Sequence, residues 1–164
     1  MIIELYNEHE KLMEVQKEKL ACKASCGVCC HQLIFLSEPE WDEIEKYMYE
    51  NNLRDIIFYR EKEILEDWIK YRLKNLEDMR KNVMKVISEW FGKKCIFLNE
   101  NDCCDIYTVR PMACRCLTST IKCKDLNQDG CMRFRYPFEK EIQEKIWKEC
   151  GHSMVIIDLY LGIK

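Results

Sequence analysis

Four thiols stand within nine residues near the start of the chain, at Cys22, Cys26, Cys29 and Cys30. Their spacing, C-x3-C-x2-C-C, lets the sulfurs turn onto a common centre, and thiolate is a soft ligand suited to zinc or iron–sulfur clusters. Gly27 sits inside the group; a glycine there can take positive φ at little steric cost and leaves room for backbone N–H groups to approach sulfur. The pattern speaks clearly of a metal site and says less about its use.

The chain that must position these thiols has 164 residues, 48% apolar and 34% charged, with no shift in composition along it. One soluble domain spanning residues 1–164 is expected. A formal charge of −3 offers no electrostatic case for nucleic acid or a membrane surface. The acidic opening stretch does not read as a secretory signal, and no apolar run is long enough to span a bilayer. Twelve cysteines in a chain without an export signal point to the reducing cytoplasm, where thiols bind metal more often than they form disulfides. The adjacent pairs Cys29–Cys30 and Cys103–Cys104 also fit a simple disulfide framework poorly.

Three prolines and five glycines favour helices over a turn-rich β fold. Residues 3–20 form an amphipathic pattern leading into the first thiols, with Leu5, Leu12, Met13, Val15 and Leu20 as its apolar members. Ser37, Pro39 and Glu40 read as a capping box opening a helix to about residue 51, with Trp41, Ile44, Tyr47 and Met48 inside. Residues 53–91 carry a long apolar stripe through Ile57, Ile64, Trp68, Tyr71, Met79, Val83, Val86 and Trp90, as one helix or two broken near Asn75. The stripe is read as core, with a docking face for a partner protein as the alternative. Two β-prone runs at residues 95–98 and 104–107 suggest a small hairpin with one thiol on each arm. Residues 110–115 form a short helical turn, residues 116–130 look irregular with a turn at 127–130, and Pro137 starts a helix with Phe138, Ile142, Ile146 and Trp147 inside. Gly151 ends it, and Ser153 can cap a last apolar segment. The fold class is therefore mainly α, with a small hairpin and an irregular cysteine-rich face.

The order C-x3-C-x2-C-C, then C-x-F-L at Cys95, then C-x-I-Y-x2-R-P-x2-C-R from Cys104 to Arg115, resembles the YkgJ-like, or CxxCxxCC, family of zinc- or iron-chelating domains. The resemblance runs through Cys22, Cys26, Cys29, Cys30, Cys95, Cys104, Arg110, Pro111 and Cys114, and a further family cysteine corresponds to Cys123. It implies a metal-ligand set of Cys22, Cys26, Cys29, Cys30, Cys95, Cys104, Cys114 and Cys123. A similar domain in flagellin lysine methylases implies an iron–sulfur cluster associated with methyl transfer, although no S-adenosylmethionine site is legible here.

Eight thiols divide by four, the number that a tetrahedral zinc or a four-iron cubane takes. Neighbouring side chains usually diverge, so Cys29 and Cys30 suit different centres, or different irons of one cluster, better than one zinc. A multinuclear site, or two sites in one shell, is expected, closing residues 22–30 against the hairpin and the 110–114 turn. Such binding would contribute to folding. Arg110 is expected to offset thiolate charge beside the centre; for Arg115 that role and a surface ion pair are both open. Pro111 would fix the start of its turn and Tyr107 would be a core aromatic. Asp102 and Asp105 read as a solvated turn, with a mixed carboxylate–thiolate site as the alternative. Cys103, Cys116, Cys131 and Cys150 are weaker candidates: Cys116 and Cys131 could replace a matched ligand or bind further iron, and Cys150 reads as a small buried residue. His31 could complete a site, whereas His9 and His152 read as solvent-facing or capping. The expected function is an intracellular metal-binding protein holding an iron–sulfur cluster or zinc for a redox, metal-handling or sensing role. A cluster-dependent enzyme, by methyl transfer or Lewis-acid chemistry, and a structural zinc module binding a protein partner are the alternatives.

Overall fold

The computed structural model describes residues 2–124, 131–132, 135–150 and 154–163. Helical apolar spacing builds a mainly α fold, and strands among the described residues are confined to short antiparallel pairs. Helix α1, Ile2–Glu14, buries Ile2, Tyr6 and His9, while Leu12 and Val15 stay exposed. It stops short of residue 20 because no side chain from Glu14 to Lys19 is buried and nothing holds another turn against the body. A 3-10 turn at Lys17–Lys19 then leads to the first thiols.

Helix α2, Glu38–Glu50, begins with the expected capping box and buries Trp41, Ile44 and Met48. The stripe at residues 53–91 is core, but its backbone divides into α3 (Leu53–Arg60), α4 (Lys62–Lys74), α5 (Leu76–Lys81) and α6 (Val83–Trp90). The breaks at Glu61 and Asn75 are slight, since both residues still donate to carbonyls four positions back. Asn82 makes the real interruption, at φ −139° and ψ 61°, and its side chain caps α6 by accepting from the Lys85 N–H. Helix α6 returns along α4, so that the Trp90 ring meets Trp68 at 4.7 Å and Tyr71 at 5.3 Å. Val83, at the turn, is exposed.

Strand β1, Phe35–Leu36, pairs with β4, Met154–Val155, and β2, Thr118–Ser119, with β3, Cys131–Met132. The hairpin at residues 95–107 is reduced to one antiparallel bridge, Leu98 to Cys104, with Tyr107 in a 3-10 turn, Tyr107–Val109. Helix α7, Met112–Arg115, follows Pro111, whose φ of −65° sets its entry. Helix α8, Pro137–Cys150, buries Ile142 and Ile146 but leaves Trp147 44% exposed. Its inward face runs through Glu139 and Gln143 instead. Helix α9, Ile156–Tyr160, is buried throughout, and Asp158 joins it to α4 by accepting from Trp68 Nε1 at 2.8 Å and pairing with Arg72 at 3.0 Å. The expected turn at 127–130, together with Gly151, His152 and Ser153, lies outside the described residues, as do the side chains of Cys131 and Cys150.

The first turn of α2 does more than start a helix. Glu40 is 1% exposed, and its Oε2 accepts from the Ser37 N–H and hydroxyl, both at 2.9 Å. Its Oε1 accepts from the Tyr6 hydroxyl at 3.1 Å and the Met112 N–H at 2.8 Å. One carboxyl thus joins α1, α2 and α7. Glu40→Ala leaves those donors buried without a partner, each at about 1–3 kcal/mol. A loss of about 4 kcal/mol is expected, the low end for four such donors, read as a fall in Tm of about 8–16 °C in the metal-loaded chain; Glu40→Gln, which keeps one oxygen acceptor, should lose less.

Candidate metal centre

The residues from Cys22 to Cys30 have little regular structure of their own, so their position is set by contacts to later segments. The Ala21 N–H donates to the Ser119 carbonyl at 2.8 Å and the Ser119 N–H to Cys22 Sγ at 3.0 Å, which ties the start of the group to β2. At its end Cys29 and Cys30 lie in a 3-10 turn, Val28–Cys30. The Cys95 N–H donates to the Cys30 carbonyl at 2.7 Å, so the first thiols are fastened to the second set through the backbone. Gly27 has φ −79°, so positive φ is not its reason. A Cβ there would stand 3.0 Å from Leu98 Cδ1 and 3.4 Å from Asp102 Cβ; glycine allows the two loops to press together.

The turn between Cys95 and Cys104 is organised by polar side chains. Asn99 Oδ1 accepts from the N–H groups of Asn101 and Cys103, and its Nδ2 donates to Asp105 Oδ1 at 2.8 Å. Asp102 takes the left-handed conformation, φ 56°, which aspartate tolerates better than most residues. From α3, Arg60 donates to the Ile96 carbonyl at 3.1 Å and pairs with Asp105 at 2.7 Å, while Glu61 holds its Nε at 2.6 Å. Asp105 is therefore spent on the scaffold rather than on a mixed site. Arg60 was not legible as part of this centre, because a charged residue on a helix reads as solvent face until the turn packed on it is known.

Among the described residues, eight thiols line one cavity of about 400 Å³: Cys22, Cys26, Cys29, Cys30, Cys95, Cys104, Cys114 and Cys123. Phe97, Ile106 and Ile34 supply apolar wall, and Arg110 faces the same space. Cys103 and Cys116 do not line it; the Cys103 thiol points to the Asn101 carbonyl at 3.4 Å, and Cys116 is fully buried elsewhere. His31 is also off the cavity wall, with Nδ1 3.1 Å from the Gly27 carbonyl. His9, by contrast, is buried on α1 rather than solvent-facing.

Burial pushes the Cys95 thiol up to about 12 and the Cys104 thiol up to about 11, against the backbone N–H groups of Phe97 and Ile106, which favour thiolate. Cys114 lies well above the ordinary thiol value, through burial first and then the sulfurs of Cys95, Cys104 and Cys29. Cys29 is raised first by the adjacent Cys30 thiol and then by burial, and both residues line the cavity. Cys22 is raised chiefly by burial, with Cys29, Cys26 and Cys123 adding to it. Cys29 adds to the rise at Cys22, Cys95, Cys104 and Cys114, and Arg110 opposes the rise at Cys29, Cys104 and Cys114. Buried thiols packed this closely keep their protons until a thiophilic cation replaces them, which is the behaviour of a soft metal site.

Two arginines complete the wall. Arg110 donates to the Tyr107 carbonyl at 2.6 Å and stacks on the Tyr107 ring at 3.8 Å. Arg115 is 2% exposed; it donates to the carbonyls of Arg110 at 2.8 Å and Thr108 at 2.6 Å, meets Glu10 at 2.5 Å and covers the Tyr6 ring at 4.0 Å. It holds the loop that presents Arg110 and Cys114.

A family model described as "CxxCxxCC: Putative zinc- or iron-chelating domain" matches residues 21–150. No curated protein and no solved structure matches the chain.

The close approach at Gly27 is testable as a coupling. Gly27→Ala should destabilise the metal-loaded chain by about 1–3 kcal/mol through overpacking. In a Leu98→Ala background most of that cost should vanish, which a double-mutant cycle of thermal stabilities measures.

Proposed function

The chain is a member of the CxxCxxCC family of zinc- or iron-chelating domains, and from that membership and its convergent thiols we propose that it holds a polynuclear iron–sulfur centre, with zinc as the alternative occupant. The eight ligands are those that line the cavity, and Arg110 offsets the charge they carry as thiolates. The observation that carries the reading is that eight thiols from separate stretches face one cavity. A single tetrahedral zinc takes four. Adjacent Cys29 and Cys30 both line that cavity, which suits them as ligands of neighbouring irons in one centre or of two metals sharing a shell. Bound there, an iron–sulfur centre supplies a redox couple whose potential follows burial and N–H···S bonding. The protein's part is to supply both: apolar walls at Phe97 and Ile106, and N–H groups of Ser119, Phe97 and Ile106 aimed at Cys22, Cys95 and Cys104. The role is redox, metal-handling or sensing, in the cytoplasm, where thiols stay reduced.

Anaerobic purification followed by iron, sulfide and zinc analysis with a visible spectrum tests this. Iron with matching sulfide and a thiolate-to-iron absorption band are expected. Cys26→Ser and Cys114→Ser should each lose that band, and Cys103→Ser should keep it. Zinc alone without colour refutes the iron–sulfur assignment, and full metal retention in both Cys26→Ser and Cys114→Ser refutes the ligand set.

A further inference from the structure

At the edge of the thiol cavity, whose wall His9 shares, three ligand-type side chains from three parts of the chain meet in the interior: His9 on α1, Cys116 just after α7, and Glu139 in the first turn of α8. They are 3%, 0% and 0% exposed. A ring nitrogen of His9, the Cys116 Sγ and a carboxyl oxygen of Glu139 all lie within 4.8 Å of one another. Hydrogen bonding accounts poorly for the imidazole. Its Nε2 is 3.4 Å from Glu139 Oε1, longer than the ~2.7–2.9 Å of a charge-assisted bond, and its Nδ1 is buried with no hydrogen-bond partner among the described residues. With zinc–nitrogen and zinc–oxygen bonds of about 2.0–2.1 Å, the edge between two such ligands of a tetrahedral ion is about 3.3 Å. The observed separation fits that edge.

Glu139 is also prepared for the task. Its Oε2 accepts from the Tyr136 N–H at 2.8 Å, which fixes the carboxyl at the head of α8 and leaves Oε1 turned toward His9. We propose that His9, Cys116 and Glu139 form a mononuclear zinc site beside the thiol cavity, fastening α1 and α8 to the segment that follows α7. An imidazole, a thiol and a carboxyl are the ligand types zinc accepts together, whereas calcium and magnesium take oxygen alone. On binding, the ion replaces the Cys116 proton, and three protein ligands leave a fourth position for water. The site lies where α1, the helix leading into the first thiols, is otherwise held by Ile2 and Tyr6 against Ile142 and Ile146.

The probe is Zn²⁺ alone, added in slight excess to the anaerobically purified full chain, which is then desalted and analysed for zinc and iron. The unaltered chain is expected to retain one zinc that His9→Gln and Glu139→Gln each lose, with iron content the same in all three. Equal zinc retention in the unaltered chain and both variants overturns the proposal. Where a variant loses its helical circular dichroism, the zinc K-edge spectrum of the unaltered chain decides. A shell containing nitrogen or oxygen beside sulfur supports the site, and a sulfur-only shell, or no zinc uptake, overturns it.

Discussion

The Glu40 carboxyl is the tie on which the shape of the cavity depends. Its oxygens receive donors from Ser37, Tyr6 and Met112, so the helix before the first thiols and the short helix bearing Cys114 are both referred to the start of α2. Each donor would be costly to leave unpaired in the interior, which makes the junction specific as well as stabilising. Arg115 repeats the device from the other side, reaching Glu10 on α1 while gathering the carbonyls of Thr108 and Arg110. Apolar packing could hold α1 near α8, but these polar ties set where Cys114 and Arg110 stand relative to residues 22–30.

Thiols have no mutual attraction that would assemble such a shell, and burying them works against ionisation. Cys95, Cys104 and Cys114 are all held above the ordinary thiol value by burial. The fold meets this with preset geometry: the backbone bond from Cys95 to Cys30, the close approach at Gly27, and the Arg60 clamp on the turn between Cys95 and Cys104. A metal that exchanges protons for a shared positive charge then turns crowding into cohesion, which is why folding and loading are expected to be linked.

What was legible beforehand was local. The capping box of α2 declares itself in four residues, and the eight cysteines that the family resemblance picked out all line one cavity. The stripe from Ile57 to Trp90 announced core, but the return of α6 along α4 depends on Asn82, whose φ and ψ periodicity does not encode. Long-range partners were hidden. Nothing singled out Arg60, His9 read as solvent-facing or capping, and Glu40 read as a cap with no sign of its bonds to Tyr6 and Met112, since those partners lie far away in the chain. Gly27 was identified correctly as special for a reason that proved different: contact with Leu98 and Asp102, not its own φ.

The central claim is that the eight cavity thiols bind one polynuclear centre. Native mass spectrometry of the anaerobically purified chain addresses it most directly, because it weighs what the folded protein carries. The account predicts a mass increment of several irons with inorganic sulfide, departing as a unit on acidification. A chain carrying a single metal ion, or none, would contradict it.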